Sequence, residues 1–110
     1  MSREKAVNDS RTAVLYIDHV LNPAFKKEVS ADLDEILADG GIRCVVLSSK
    51  HEKNWCIGMD IPWFMELYRK DNRAVLKDFF IEGNRSIFLR LLTIPVVTIA
   101  AITGHTFGAG

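Results

Sequence analysis

The chain has 110 residues, 14 basic and 14 acidic side chains, and 48% hydrophobic residues. This length allows one domain at most, and such a chain buries only about 65% of its unfolded surface. The formal net charge of zero argues against a nucleic-acid or anionic-membrane binder, because both rely on basic excess.

The charged start, Met1-Ser2-Arg3-Glu4-Lys5, is not followed by an apolar run, so no secretory signal is read there. Residues 4–7 are expected to pair, across a turn at residues 8–11, with a strand over residues 12–18 that is rich in strand formers. Next, Phe25, Val29, Leu33 and Ile36 recur at helical spacing and predict a helix over residues 23–37. Asn22 suits its N-cap and Pro23 its first position, where the missing N–H goes unused. Gly40-Gly41 ends it. Residues 42–48 form a continuous apolar run, read as a strand buried on both faces. A polar loop follows, and Pro62 then opens a short helix through Tyr68. A longer helix is predicted over residues 72–92, with Val75, Phe79, Ile87 and Leu91 on its apolar face and Gly83 as its weak point. Pro95 closes that helix. Residues 96–102 are read as a second buried strand. Strands alternating with helices give an α/β fold with parallel pairing. Arg90 and Pro95 interrupt the longest apolar stretch before it reaches membrane-spanning length.

Cys44 and Cys56 are too few for a disulfide scaffold or a zinc site, and two buried thiols in a reducing compartment are preferred to a bridge. The chemistry is sought at two glycine turns, Cys56-Ile57-Gly58-Met59-Asp60 and Gly104-His105-Thr106-Phe107-Gly108-Ala109-Gly110. Each follows a strand or its trailing loop, and ligands of open α/β sheets bind beyond the carboxyl ends of strands. Backbone N–H groups freed at two such turns can hold a developing oxyanion, each worth about 2.7–4 kcal/mol. Alone, each turn reads as a plain loop or a helix cap before it reads as a site.

These residues resemble the crotonase superfamily, which includes enoyl-CoA hydratases and isomerases. Residues 42–49, the short loop and Asn54-Trp55-Cys56-Ile57-Gly58-Met59-Asp60-Ile61 are similar to one family block. Pro95 through Gly110 is similar to a second, and Leu21-Asn22 before a helix to a third. The resemblance implies an α/β, crotonase-like (ClpP/crotonase) ββα spiral, with residues 1–110 forming the N-terminal part of a single domain. It implies that the backbone N–H groups of Met59 and Ala109 polarise a thioester carbonyl and stabilise its enolate. It places Ile57, Val20 and Leu21 along coenzyme A, although Asp18-His19 stands where a basic residue is common. Lys26 is a candidate for the coenzyme A phosphates, with a solvated helix face as the plainer explanation. Met59 is bulkier than the alanine usual in hydratases, which tilts the expectation toward double-bond isomerisation. Hydration of a trans-2-enoyl-CoA is the alternative, and a non-catalytic, assembly-forming member another. Trp55 in place of phenylalanine reads as conservative packing. The family's carboxylate acids and bases match positions after Gly110.

The resemblance further implies no covalently bound cofactor, coenzyme A as part of the substrate, and a homotrimer or dimer of trimers. Neither nucleic acid nor membrane is expected as a partner. The implied location is cytoplasmic, or mitochondrial or peroxisomal in a eukaryote. His19, His51 and His105 are too scattered to suggest a metal site. Asp60 reads better as a helix cap than as a base. Ser48-Ser49 raises a serine nucleophile of the related Clp type, but no Gly-x-Ser-x-Gly elbow is present.

Overall fold

The computed structural model describes the backbone of Arg3–Glu4 and all of residues 11–110. Of the strand predicted over residues 4–7, residues 5–7 and most of the turn that follows lie outside the described residues. Strand β1 (Arg3–Glu4) pairs antiparallel with β2 (Thr12–Ile17). Strand β3 (Cys44–Ser49) pairs parallel with β2 on one side and with β5 (Val97–Ala100) on the other. The sheet order is therefore β1-β2-β3-β5.

Helix α1 (Pro23–Leu37) crosses between β2 and β3 as its spacing predicts. Asn22 caps it, with Oδ1 accepting the Phe25 N–H at 3.1 Å. Its face of Phe25, Val29, Leu33 and Ile36 is buried against Ala13, Leu15, Ile17 and Val45. In β2, burial alternates residue by residue, which is the signature of a sheet covered on one face.

Helix α2 (Ile61–Arg69) is followed by α3 (Arg73–Asp78), a π-helical segment (Phe79–Arg85) and α4 (Ser86–Thr93). The last three replace the single predicted helix with one helical rod whose middle widens around Gly83. Phe79 and Ile87 carry this rod into the core. Arg90 of α4 donates to the Ser30 carbonyl at 3.2 Å and pairs with Asp34, tying the rod to α1.

Both expectations of doubly buried strands need correction. In β3 only Val45 is fully buried. Every residue of β5 is exposed, Val97 at 61% and Ile99 at 48%. These two point to opposite sides from Thr98 and Ala100, so neither face of β5 is covered. Among the described residues β5 has one neighbouring strand, and a run of Val and Ile measures apolar character, not cover. A second, two-stranded parallel sheet of β4 (Asn54–Cys56) and β6 (His105–Thr106) was not expected. No helix is long and apolar enough to cross a membrane among the described residues.

Leu33 is fully buried at the centre of the α1 interface. Leu33→Ala is expected to cost about 2–5 kcal/mol in denaturant unfolding, with an unchanged slope.

Candidate active site

The β4–β6 pairing decides the site. Its parallel register sets Asn54 opposite His105 and Cys56 opposite Thr106. The two glycine turns therefore emerge side by side, and the Phe107 N–H donates to the Cys56 carbonyl at 3.1 Å. Gly58 has φ +87°, and a Cβ there would meet the Phe107 carbonyl oxygen at 3.1 Å. A Cβ on Gly110 would overlap the Cys56 carbonyl outright. Close backbone approach thus requires glycine at both places.

The other side of the first turn is pinned by the segment after β2. Ile57 N–H donates to the His19 carbonyl at 2.8 Å, Leu21 N–H to the Gly58 carbonyl at 2.7 Å, and Asp60 N–H to the Leu21 carbonyl at 3.0 Å. The last two form a parallel bridge between Leu21 and Met59. In such a bridge the neighbours of Met59 make the bonds, and its own N–H faces the opposite way. Among the described residues neither the Met59 N–H nor the Ala109 N–H has a hydrogen-bond acceptor. Ala109 also lies outside the positive-φ region, so alanine adopts this turn without strain.

The sequence-predicted residues divide accordingly. Val20, Leu21, Ile57 and Met59 come together along the first turn, Leu21 buried and Ile57 37% exposed. Ala109 joins through the second turn and lines two cavities. One, about 90 Å³, runs inward to Leu21, Phe25, Trp55 and Cys56. The other, about 460 Å³, lies against the helical rod. Lys26 sits on the exposed side of α1, its Cγ 4.0 Å from the point a Cβ on Gly83 would occupy.

Several residues do more than their sequence suggested. The Trp55 indole N–H donates to the Gly110 carbonyl at 3.1 Å. Phenylalanine has no such donor, so this position anchors the second turn as well as packing. Asp60 caps α2, accepting the Trp63 N–H at Oδ1 (3.2 Å), and takes the Asn22 amide at Oδ2 (3.2 Å). Its oxygens are committed to structure, as the cap reading expected. Ser49 Oγ donates to the Asn54 carbonyl at 2.8 Å and accepts the His51 N–H at 3.1 Å, which turns it into a loop staple. His51 Nδ1 accepts the backbone N–H groups of Lys53 and Asn54 at 3.3 and 3.1 Å. The imidazoles of His19 and His51 lie 4.6 Å apart, and Asp18 holds His19 Nδ1 at 2.9 Å. That cluster depends on chain folding and has no local sequence signal. No group of three or more His, Cys, Asp or Glu is arranged to hold a metal among the described residues. Both cysteines are free thiols, Cys56 buried and Cys44 half-buried.

A family model for enoyl-CoA hydratase/isomerase matches residues 18–110. The chain belongs to this family. It is 31% identical over 86 residues to the enoyl-CoA isomerase/hydratase claC of Penicillium crustosum, covering 76% of this chain and 9% of that protein. It is 28% identical over 95 residues to an enoyl-CoA isomerase/hydratase of Zymoseptoria tritici, covering 84% of this chain and 29% of the other. A crystal structure from Mycobacterium abscessus, assigned as an enoyl-CoA hydratase/isomerase, superposes with a TM-score of 0.76 at 24% identity, covering 93% of this chain and 40% of that one. That likeness shows the fold, a mixed α/β crotonase-like architecture. The chain spans less than half the length of each of these relatives.

Two outcomes follow from the hydrogen bonds and burial of the site. Asn22 and Asp60 cap separate helices and bond each other, so each alanine substitution is expected to cost about 1 kcal/mol. A double-mutant cycle should show coupling of about 0.5 kcal/mol or more. Burial pushes the Cys56 thiol above its ordinary range, a Gly58 backbone hydrogen bond opposes this, and the Asp18 charge adds to it. The unfolded thiol therefore ionises first. Its contribution to stability is complete below the ordinary thiol range and is lost as pH rises from that range through the raised folded value. Iodoacetamide is expected to alkylate Cys44 before Cys56 in the folded protein at pH 8, as read by peptide mass.

Proposed function

We propose that the chain supplies the oxyanion-binding part of an enoyl-CoA enzyme, with the Met59 and Ala109 N–H groups as its two donors. The observation that carries this reading is the parallel β4–β6 register, which sets the two turns together with both N–H groups unclaimed among the described residues. Two fixed donors aimed at a thioester oxygen are worth more as negative charge grows on it. They make the adjacent C–H more acidic and stabilise the enolate left when its proton departs. No water-side reorganisation is needed, because the donors are held by backbone bonds on neighbouring residues.

Coenzyme A is part of the substrate in this reading, and no covalent cofactor is involved. Val20, Leu21 and Ile57 form the strip along the first turn where the thioester arm runs. The reaction favoured is movement of the double bond. Support comes from Met59, which is bulkier than the alanine usual in hydratases; it is half-buried and its side chain packs against the core. Hydration of a trans-2-enoyl-CoA is the second reading. Assembly as a homotrimer or dimer of trimers, and a cytoplasmic, mitochondrial or peroxisomal location, belong to the same proposal.

The direct test removes the donors. In the full-length protein, Met59→Pro and Ala109→Pro each delete one N–H and are expected to lower kcat/KM for 3-enoyl-CoA isomerisation by about 10²–10³. Met59→Ala keeps the N–H and should retain the larger part of the activity. If a folded proline variant keeps wild-type activity, the assigned donor is wrong. If the protein neither isomerises, hydrates nor binds enoyl-CoA thioesters, the whole reading is lost.

A further inference from the structure

We propose that the cavity beside Ala109 takes an acyl chain ending in a carboxylate, which Arg85 and Asn84 receive. This rests on the thioester reading above and names the substrate class for the same site. The cavity holds about 460 Å³, within the range of small-molecule sites. Phe80, Phe88 and Leu92 of the helical rod form its apolar wall, and Ala109 closes one side. A thioester carbonyl held at Ala109 therefore lies at the cavity edge, and the acyl chain has an apolar wall to run along.

Two polar side chains interrupt that wall. Asn84 and Arg85 are consecutive, and both line the cavity. They end the π-helical segment Phe79–Arg85. A repeat of four residues drifts around an α-helix of about 3.6 residues per turn. The wider π turn offsets part of that drift, so Phe80, Asn84 and Phe88 stay on one side with Arg85 beside them. Irregularity in the helix thus serves to present this stripe to the cavity.

Charge supplies the second argument. Arg69 lies 3.8 Å from Glu66, Arg73 lies 3.1 Å from Asp71, and Arg90 pairs with Asp34. The side chain of Arg85, like that of Arg43, has no hydrogen-bond or ion-pair partner among the described residues, and of these two exposed arginines only Arg85 lines the cavity. The planar fork of the Arg85 guanidinium matches a carboxylate. An all-hydrocarbon chain would cover part of this cation and give it nothing in return. A terminal carboxylate pairs with the fork, and the Asn84 amide can add a donor. The class selected is therefore a CoA monothioester of an unsaturated dicarboxylic acid.

The test uses two matched six-carbon enoyl-CoA thioesters, one ending in methyl and one in carboxylate, titrated calorimetrically into the protein. The carboxylate ester is expected to bind about fivefold or more tightly, since the pair is partly solvated. This ratio should fall to near one in Arg85→Gln and lie between the two in Arg85→Lys. Raising the salt concentration should narrow it in the wild-type protein, a check that needs no variant. A ratio of one in the wild type, or a preference that survives Arg85→Gln, overturns the proposal. Tight binding of the methyl ester alone sinks only the carboxylate assignment. Binding of neither ester removes the thioester reading along with it.

Discussion

Three short backbone strips, residues 18–22, 54–60 and 105–110, hold one another by main-chain hydrogen bonds, and the site exists only through that pairing. The middle strip is pinned from both sides. Residues 19 and 21 take its Ile57 N–H, Gly58 carbonyl and Asp60 N–H, while Phe107 takes its Cys56 carbonyl. Each such bond contributes a net of about 1 kcal/mol. The more important consequence is directional. Because a parallel bridge uses the flanking peptide groups, pinning Gly58 and Asp60 leaves the Met59 N–H turned away from Leu21. A free donor in a rigid frame is thus a by-product of register, independent of which side chain Met59 carries.

The ends of β4 are secured by side chains, and this sets the register. At its start, Ser49 and His51 staple the loop to Asn54. Because His51 Nδ1 accepts two backbone N–H groups, its ring proton in the neutral form sits on Nε2. At the far end, the buried Trp55 indole fixes the Gly110 carbonyl. A slip of one residue would put Trp55 on the wrong face and lose this bond. The pairing is therefore short in residues but well specified.

This explains what was legible in the sequence. Asn22, Pro23 and the Phe25, Val29, Leu33, Ile36 stripe act locally, and their helix forms with the bounds the spacing predicts. The two glycine turns were visible because glycine at a tight turn has a conformational cause. Their convergence was not visible from the residues alone: β6 is two residues long and pairs with a strand about fifty positions earlier, too short for any alternation to show. It entered as an expectation through the family resemblance. The exposure of β5 was hidden for a different reason, since Val97 and Ile99 are apolar whether or not anything covers them. Gly83 marked the middle of the rod as weak, but glycine says only that a helix is costly there, not that it widens into a π turn.

Asp60 shows how the site separates structural from chemical duty. In the proposed site, a carboxylate next to the Met59 N–H would oppose the charge that builds on a substrate. Here the charge is drawn aside: Oδ1 meets the N-terminus of α2, where the helix dipole favours an anion, and Oδ2 meets the Asn22 amide. Asn22 in turn uses its own Oδ1 on α1. The same two side chains thereby start both helices and hold residues 21 and 59 in their bridge. Any change that frees Asp60 releases its negative charge beside the Met59 N–H and loosens the frame that aims it. The sequence pair Leu21-Asn22 and Met59-Asp60 is thus one device, a bridge between the first members and a hydrogen bond between the second.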